Sequence, residues 1–103
     1  MAVTELFRAL GDSSRLEMMH RLSSGDQYTI KSISKGLDIT RQGARKHLQI
    51  LVDADLITLE SKGRDTSVRL NRDALDKGKA FIAELEARWD QRLEALRQFV
   101  DGD

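Results

Sequence analysis

Residues 40–49 read Thr-Arg-Gln-Gly-Ala-Arg-Lys-His-Leu-Gln. On a helix, Arg41, Gln42, Arg45, Lys46 and Gln49 fall on one side if Ala44, Leu48, Leu51 and Val52 fall on the other. The outward set has the chemistry that reads duplex DNA. Arginine meets a guanine edge with two parallel hydrogen bonds, and glutamine does the same for adenine. Lysine meets phosphate as a compact charge. Thr40 adds a hydroxyl at the helix start, beside backbone N–H groups that have no intrahelical partner and suit an anion. Further on, Lys62 and Arg64 flank Gly63 in a polar stretch, a second place from which backbone phosphates or a minor groove could be reached. The expected division is Arg41, Gln42 and Arg45 on bases and Thr40, Lys46, Lys62 and Arg64 on phosphates, with His47 and Gln49 on the same surface. A solvated basic face would look similar in isolation, so the elements that carry these residues decide the reading.

Val3, Leu6, Phe7 and Leu10 recur at i, i+3, i+4 and i+7, a short helix that Gly11-Asp12 stops. A second helix follows, with Ser14 to Glu17 spelling a capping box and Asp12 or Ser13 as alternative caps. Its expected inner stripe is Leu16, Met19 and Leu22, and Ser23-Ser24-Gly25 closes it. Thr29 caps a short third helix with Ile30, Ile33 and Leu37 turned inward, and Thr40 caps a fourth that runs to about Asp53. The period then changes to two. Ile57 and Leu59, then Val68 and Leu70, alternate with polar residues around the Ser61–Thr66 tip, which predicts a β-hairpin over 57–70. Asn71 caps a last helix over 72–101, with Leu75, Ile82, Leu85, Trp89, Leu93, Leu96 and Val100 on its apolar side and Phe81 and Phe99 beside it. Thirty such residues span ~45 Å, more than a chain of this size can cover with its own core. The fold class is therefore mainly α with a small β-hairpin wing, an α+β winged helix-turn-helix in the order four helices, two strands, one helix. It forms one domain over 1–103.

Charge follows the same map. The chain's 103 residues carry 17 basic and 17 acidic side chains. Residues 29–72 hold nine basic against five acidic, a net +4, between ends of −1 and −3. With no cysteine there are no disulfides and no thiolate ligands, and with no proline there is no proline-kinked helix. The start, Met1-Ala2-Val3-Thr4-Glu5, has neither the basic nor the apolar region of a leader, and no apolar run is long enough to span a bilayer, so the expected location is cytoplasmic, without membrane contact.

Leu6-Phe7-Arg8-Ala9-Leu10-Gly11-Asp12-Ser13-Ser14-Arg15-Leu16 resembles the opening of ArsR-type winged-helix repressors. The run Thr40–Leu51, with its Lys46-His47-Leu48 and Leu51 core, is similar to that family's recognition helix, and Ala54-Asp55-Leu56-Ile57 and Lys62-Gly63-Arg64 continue the match, so the resemblance covers roughly 4–100. It implies a homodimer on an inverted-repeat operator of double-stranded DNA, usually as a repressor, with helices 3–10 and 72–101 forming the dimerisation part. The expected seam is Leu6, Phe7, Leu10, Leu85, Trp89, Leu93 and Leu96, with Trp89 as interface core rather than pocket lining.

The chain departs from the family pattern in several places. Asp55 stands where the family usually has glycine, a position aspartate tolerates in the left-handed region better than most residues. Gly43 interrupts the recognition helix, and Val68 replaces a frequent wing tyrosine. Many relatives sense metals through cysteines or through carboxylates and histidines on the last helix. Here His20 and His47 both precede that helix, so its carboxylates lack a histidine partner and no metal or other cofactor is expected. An enzyme is not expected either: cysteine is absent, the two histidines lie on separate helices, and the glycines form no phosphate loop. The residues single out no effector; a constitutive regulator and a small-molecule sensor fit them equally. The rival reading is a winged-helix module that binds protein without specific DNA binding, which calls for apolar anchors on the exposed side of 41–49.

Overall fold

A computed structural model describes residues 3–102. Met1, Ala2 and Asp103, the ends of the expected 1–103 domain and the start of the stretch read as lacking a leader, lie outside the described residues. The elements are α1 (Val3–Leu10), α2 (Ser13–Leu22), β1 (Tyr28–Thr29), α3 (Ile30–Ile33), α4 (Arg41–Asp53), β2 (Ile57–Lys62), β3 (Asp65–Leu70) and α5 (Arg72–Asp101). The anticipated helices and hairpin are present in the anticipated order, but α3 is a single turn that ends at Ile33, so Leu37, expected on its inward face, follows in the turn. Strand β1 was not anticipated, because two residues carry no periodicity. It pairs antiparallel with β3, Tyr28 opposite Val68 and Thr29 opposite Ser67, so the sheet order is β1-β3-β2.

The core lies where α1, α2, α3 and α4 meet the base of this sheet. Leu6, Met18, Ile33, Leu51, Leu56 and Ile57 are its largest fully buried side chains. Of the caps offered for α2 one is chosen, and the buried stripe differs from expectation. The cap is Asp12, whose Oδ2 accepts from the N–H groups of Ser14 (2.9 Å) and Arg15 (3.1 Å). Glu17 instead meets Arg21 one turn later, at 3.2 Å. The buried stripe is Met18, Met19 and Leu22, and Leu16 is exposed. A periodicity of 3.6 defines a stripe but not its phase, and here α2 is turned to face α4 and β3.

The hairpin register runs from Ile57↔Leu70 to Lys62↔Asp65, which leaves Gly63 and Arg64 as a two-residue loop. Gly63 has φ +61° and Arg64 does not have positive φ, the pattern of a type II′ turn, which matches the twist of the flanking strands. Leu59, expected to point inward, is exposed: β2 is an edge of the sheet, and only its first residue, Ile57, is buried. Asp55 adopts φ +60°, the left-handed turn its type permits, and its carbonyl accepts from Asn71 Nδ2 at 2.8 Å.

Asn71 also caps α5, accepting from the N–H of Asp73 at 3.3 Å. The first turns of α5 bury Ala74 and Gly78 against α1. A Cβ on Gly78 would stand 3.0 Å from Leu6 Cδ2, so glycine allows the two helices to approach. From Lys79 to the helix end every side chain is exposed, Trp89 included at 58%. The expected surplus of apolar helix face is thus present in the protomer. Among the described residues no helix is long and apolar enough to cross a membrane.

Candidate nucleic-acid interface

Two local caps and one clamp from α2 build the helix-turn-helix. Thr29 and Ser32 satisfy each other reciprocally at the start of α3: Ser32 N–H donates to Thr29 Oγ1 at 3.2 Å, and Thr29 N–H donates to Ser32 Oγ at 2.8 Å. Arg21 crosses from α2 and donates Nη1 to the carbonyls of Ile33 (3.1 Å) and Lys35 (2.7 Å), which holds the turn between α3 and α4. Thr40 Oγ1 then accepts from Gly43 N–H at 2.9 Å to start α4. Its own O–H stays available as a donor, the form in which it would meet a phosphate. A Cβ on Gly43 would lie 3.1 Å from Thr40 Oγ1, so the glycine inside this helix makes room for its cap.

Helix α4 buries Ala44, Leu48 and Leu51, and Arg41, Gln42, Arg45, Lys46 and Gln49 are all exposed. Within that set the angles differ. At 3.6 residues per turn, Gln42 and Lys46 stand most directly opposite the buried stripe, while Arg41 and Arg45 lie on the flank toward α3. Arg41 and Arg45 share a cleft there with Lys31 and Ser34. Gln49 bonds back to Asp53, Nε2 to Oδ1 at 2.8 Å. The exposed face presents no apolar anchor. Lys62 ends β2 and Arg64 sits in the loop, both exposed at the tip of the wing.

His47 lies apart from the other proposed contacts. It turns toward α2, half-buried, with Nδ1 2.9 Å from Arg15 Nη1 and 3.8 Å from Asp12 Oδ2. Guanidinium has no acceptor, so in the neutral ring Nδ1 accepts from Arg15, whereas in the protonated ring the same atom faces Asp12 as a charged partner. Arg15 also donates Nε to the Ala9 carbonyl at 2.6 Å. Arg15 therefore joins the end of α1 to the middle of α4. This positioning role was missed in the sequence. A signal existed: a cation in the first turn of a helix is opposed by the helix dipole and needs a partner from elsewhere.

The same junction lowers the pKa of Asp12 from its ordinary 3.8. The Arg15 backbone N–H contributes most, burial opposes it, and the charges of His47 and Arg15 and the Ser14 N–H add to the lowering. A depressed carboxylate pKa stabilises the fold fully above the unfolded value, and that contribution disappears as pH falls through the folded value. Urea midpoints measured from pH 6 down to pH 2 should therefore fall less steeply below about pH 4 for Asp12→Asn than for the parent. Parallel curves would remove Asp12 from the acid limb.

Of the expected seam residues, Leu6 is only 1% exposed and packs inside its own protomer, whereas Phe7 and Leu10 remain accessible in part. The Phe7 ring meets Phe81 of α5 at 5.7 Å between centroids, 58° apart in plane, which continues the apolar surface of α5 onto α1. Leu85, Trp89, Leu93 and Leu96 are exposed along α5. As for metal ligands, the described residues contain no group of three or more histidine, cysteine, aspartate or glutamate side chains placed to share an ion.

Residues 10–60 match the family model described as a helix-turn-helix domain. An HTH-type transcriptional regulator of Bacillus subtilis (strain 168), YuzN, is 40% identical over 76 residues, 68% of this chain and 83% of that protein. The arsenical resistance operon repressor of the same organism is 37% identical over 65 residues, 63% of this chain and 62% of that protein. Among solved structures, an ArsR-like transcriptional regulator from Rhodococcus sp. RHA1 superposes with a TM-score of 0.80 at 28% identity, over 97% of this chain and 93% of that one.

Proposed function

This chain belongs to the ArsR-type winged helix-turn-helix family, whose members are sequence-specific DNA-binding transcriptional regulators and not enzymes, and we propose that it is a repressor that holds an inverted-repeat operator as a homodimer. One observation carries the reading: a rigidly capped helix offers an entirely polar, partly cationic face beside a basic wing, on a protomer whose last helix leaves its apolar side uncovered. Each protomer places α4 in a major groove, with Thr40, Arg41, Gln42, Arg45, Lys46 and Gln49 at the DNA and Lys62 and Arg64 on flanking backbone. His47 serves mainly to hold α4 through Arg15, and only its Nε2 side is left to meet DNA. A twofold dimer through α1 and α5 presents two such helices about one duplex turn, ~34–36 Å, apart. The arsenical resistance operon repressor among the similar proteins supports the repressor assignment.

The residues do not fit the metal centres of the family's metal sensors. Cysteine is absent, His47 Nδ1 is committed to Arg15, and the nearest carboxylate to His20 Nδ1 is Glu17 on its own helix, 3.9 Å away. We propose a regulator without a dedicated transition-metal site. Selection of bound sites from a random duplex pool tests the operator. The expected product is an inverted repeat with half-site centres about 10–10.5 bp apart, or a multiple of that distance. Enrichment of an unrepeated site, or of none, would remove the dimeric operator reading.

A further inference from the structure

We propose that the crevice where α3, α4 and the wing converge is the seat of one DNA backbone phosphate per half-site, clamped by Lys31, Arg45 and Arg64 together, and that Arg45 is accordingly a backbone contact and not a reader of bases. The inference rests on the DNA-binding reading above and reassigns one of its residues.

Three observations converge on the crevice. The first is its make-up. It has a volume of about 150 Å³, and Lys31 from α3, Arg45 from α4 and Arg64 from the wing all line it, together with Asp65, Thr66 and Thr29. That is well below the ~300–1,000 Å³ of small-molecule pockets. Its size suits one phosphate group.

The second is charge. Three cations and one carboxylate give the crevice a net +2. Among the described residues, none of Lys31, Arg45 and Arg64 takes part in an ion pair within 4.0 Å, not even with the neighbouring Asp65. The hydroxyl of Thr29 is already used in the cap of α3. Three cations gathered from three elements outnumber the single carboxylate, which none of them meets within 4.0 Å, so they repel one another, and a bound phosphate relieves this.

The third is the reason these elements meet. β1 pairs Thr29 with Ser67 of β3. Thr29 is also the cap of α3, so that pairing sets the start of α3, with Lys31 in its first turn, against β3 at the base of the wing. The short strand thus fixes the wing relative to α3. Arg45 is on the α3 flank of α4, and it shares a second cleft with Lys31 and Arg41. Gln42 and Lys46 hold the angle that faces a groove floor directly.

The test uses the full chain and a duplex carrying the selected inverted repeat. Lys31→Ala, Arg45→Ala and Arg64→Ala should each weaken binding by the same factor on the operator and on its single-base variants, while Lys31→Arg retains affinity. If the three cations serve one phosphate per half-site, the triple variant lowers the slope of log K against log[salt] by about 1.8 for the dimer; three separate phosphates would lower it by about 5.4. A methylphosphonate scan should find one backbone position per half-site at which losing the charge abolishes the penalty of all three alanine variants. The proposal falls if Arg45→Ala relaxes preference at a single base pair, if Lys31→Ala leaves affinity and slope unchanged, or if the three variants map to different phosphates. A parent chain that binds no duplex would overturn the DNA reading as well; a parent that binds its repeat but fails this map would overturn the clamp alone.

Discussion

Trp89→Glu combined with Leu93→Glu should convert the protein into a monomer in sedimentation velocity, with operator affinity reduced by about 10²–10⁴ as the second half-site stops being an intramolecular partner. Both side chains lie in the part of α5 whose residues are all exposed, so they contribute little to the fold of one protomer. They belong to the same stripe as Leu85 and Leu96, which Phe81 and Phe7 extend onto α1. A fully covered tryptophan buries about 150–250 Å², and more than half of Trp89 is still open to a partner. In a twofold seam each substitution occurs twice, so four carboxylates would be desolvated against one another, and buried unpaired charge costs several kcal/mol per ion. The fold of each protomer should persist, because its core is built from α1 to α4, the base of the sheet and the first turns of α5. Circular dichroism of the variant therefore separates dissociation from unfolding. A variant that remains dimeric would place the seam elsewhere, away from the uncovered apolar face of α5.

The same contrast between local and tertiary determinants shows which parts of the molecule were legible before its structure. Thr29, Thr40 and Asn71 were readable as caps because a cap is made by a side chain and the backbone two or three residues onward. The hairpin was readable because Gly63 allows a two-residue turn of the right twist. Asp55 was readable as a left-handed position once the family's glycine was set beside it. What escaped depends on packing. Leu16 and Met18 are both apolar on α2, and only the placement of α2 against α4 and β3 buries one and exposes the other. Leu59 alternates as an inward residue should, but its strand lies at the sheet edge. Leu6 shares the apolar pattern of a seam residue, yet the missing side chain of Gly78 draws α5 over it. In the candidate interface the exposed residues of α4 were legible and their angular division was not. That division depends on Lys31 and the wing, which only β1 brings alongside.

A salt titration should give the largest effect of all: affinity for the operator falling by about 10³–10⁵ between ~50 and ~200 mM salt, provided six to ten phosphates are neutralised by the dimer. The prediction is not obvious from the chain as a whole, whose formal net charge is 0. An overall neutral protein has no long-range attraction to DNA to lose. The steep dependence must come from local neutralisation. Lys31, Arg41, Arg45, Lys46, Lys62 and Arg64 all lie on α3, α4 and the wing, while the excess carboxylates are placed after residue 72, along α5. The Debye length is about 10 Å at 0.1 M, so α5, which occupies much of a molecule 71 Å long, cannot cancel the field at α4. A partner protein would give a different response. The exposed side of α4 lacks apolar anchors, so an interface there would rest on rim charges, whose loss with salt changes encounter rates more than equilibrium affinity. A slope near zero on the selected duplex would therefore count against DNA as the occupant of this face, whereas a slope between about −5 and −9 would match three to five phosphates held by each protomer.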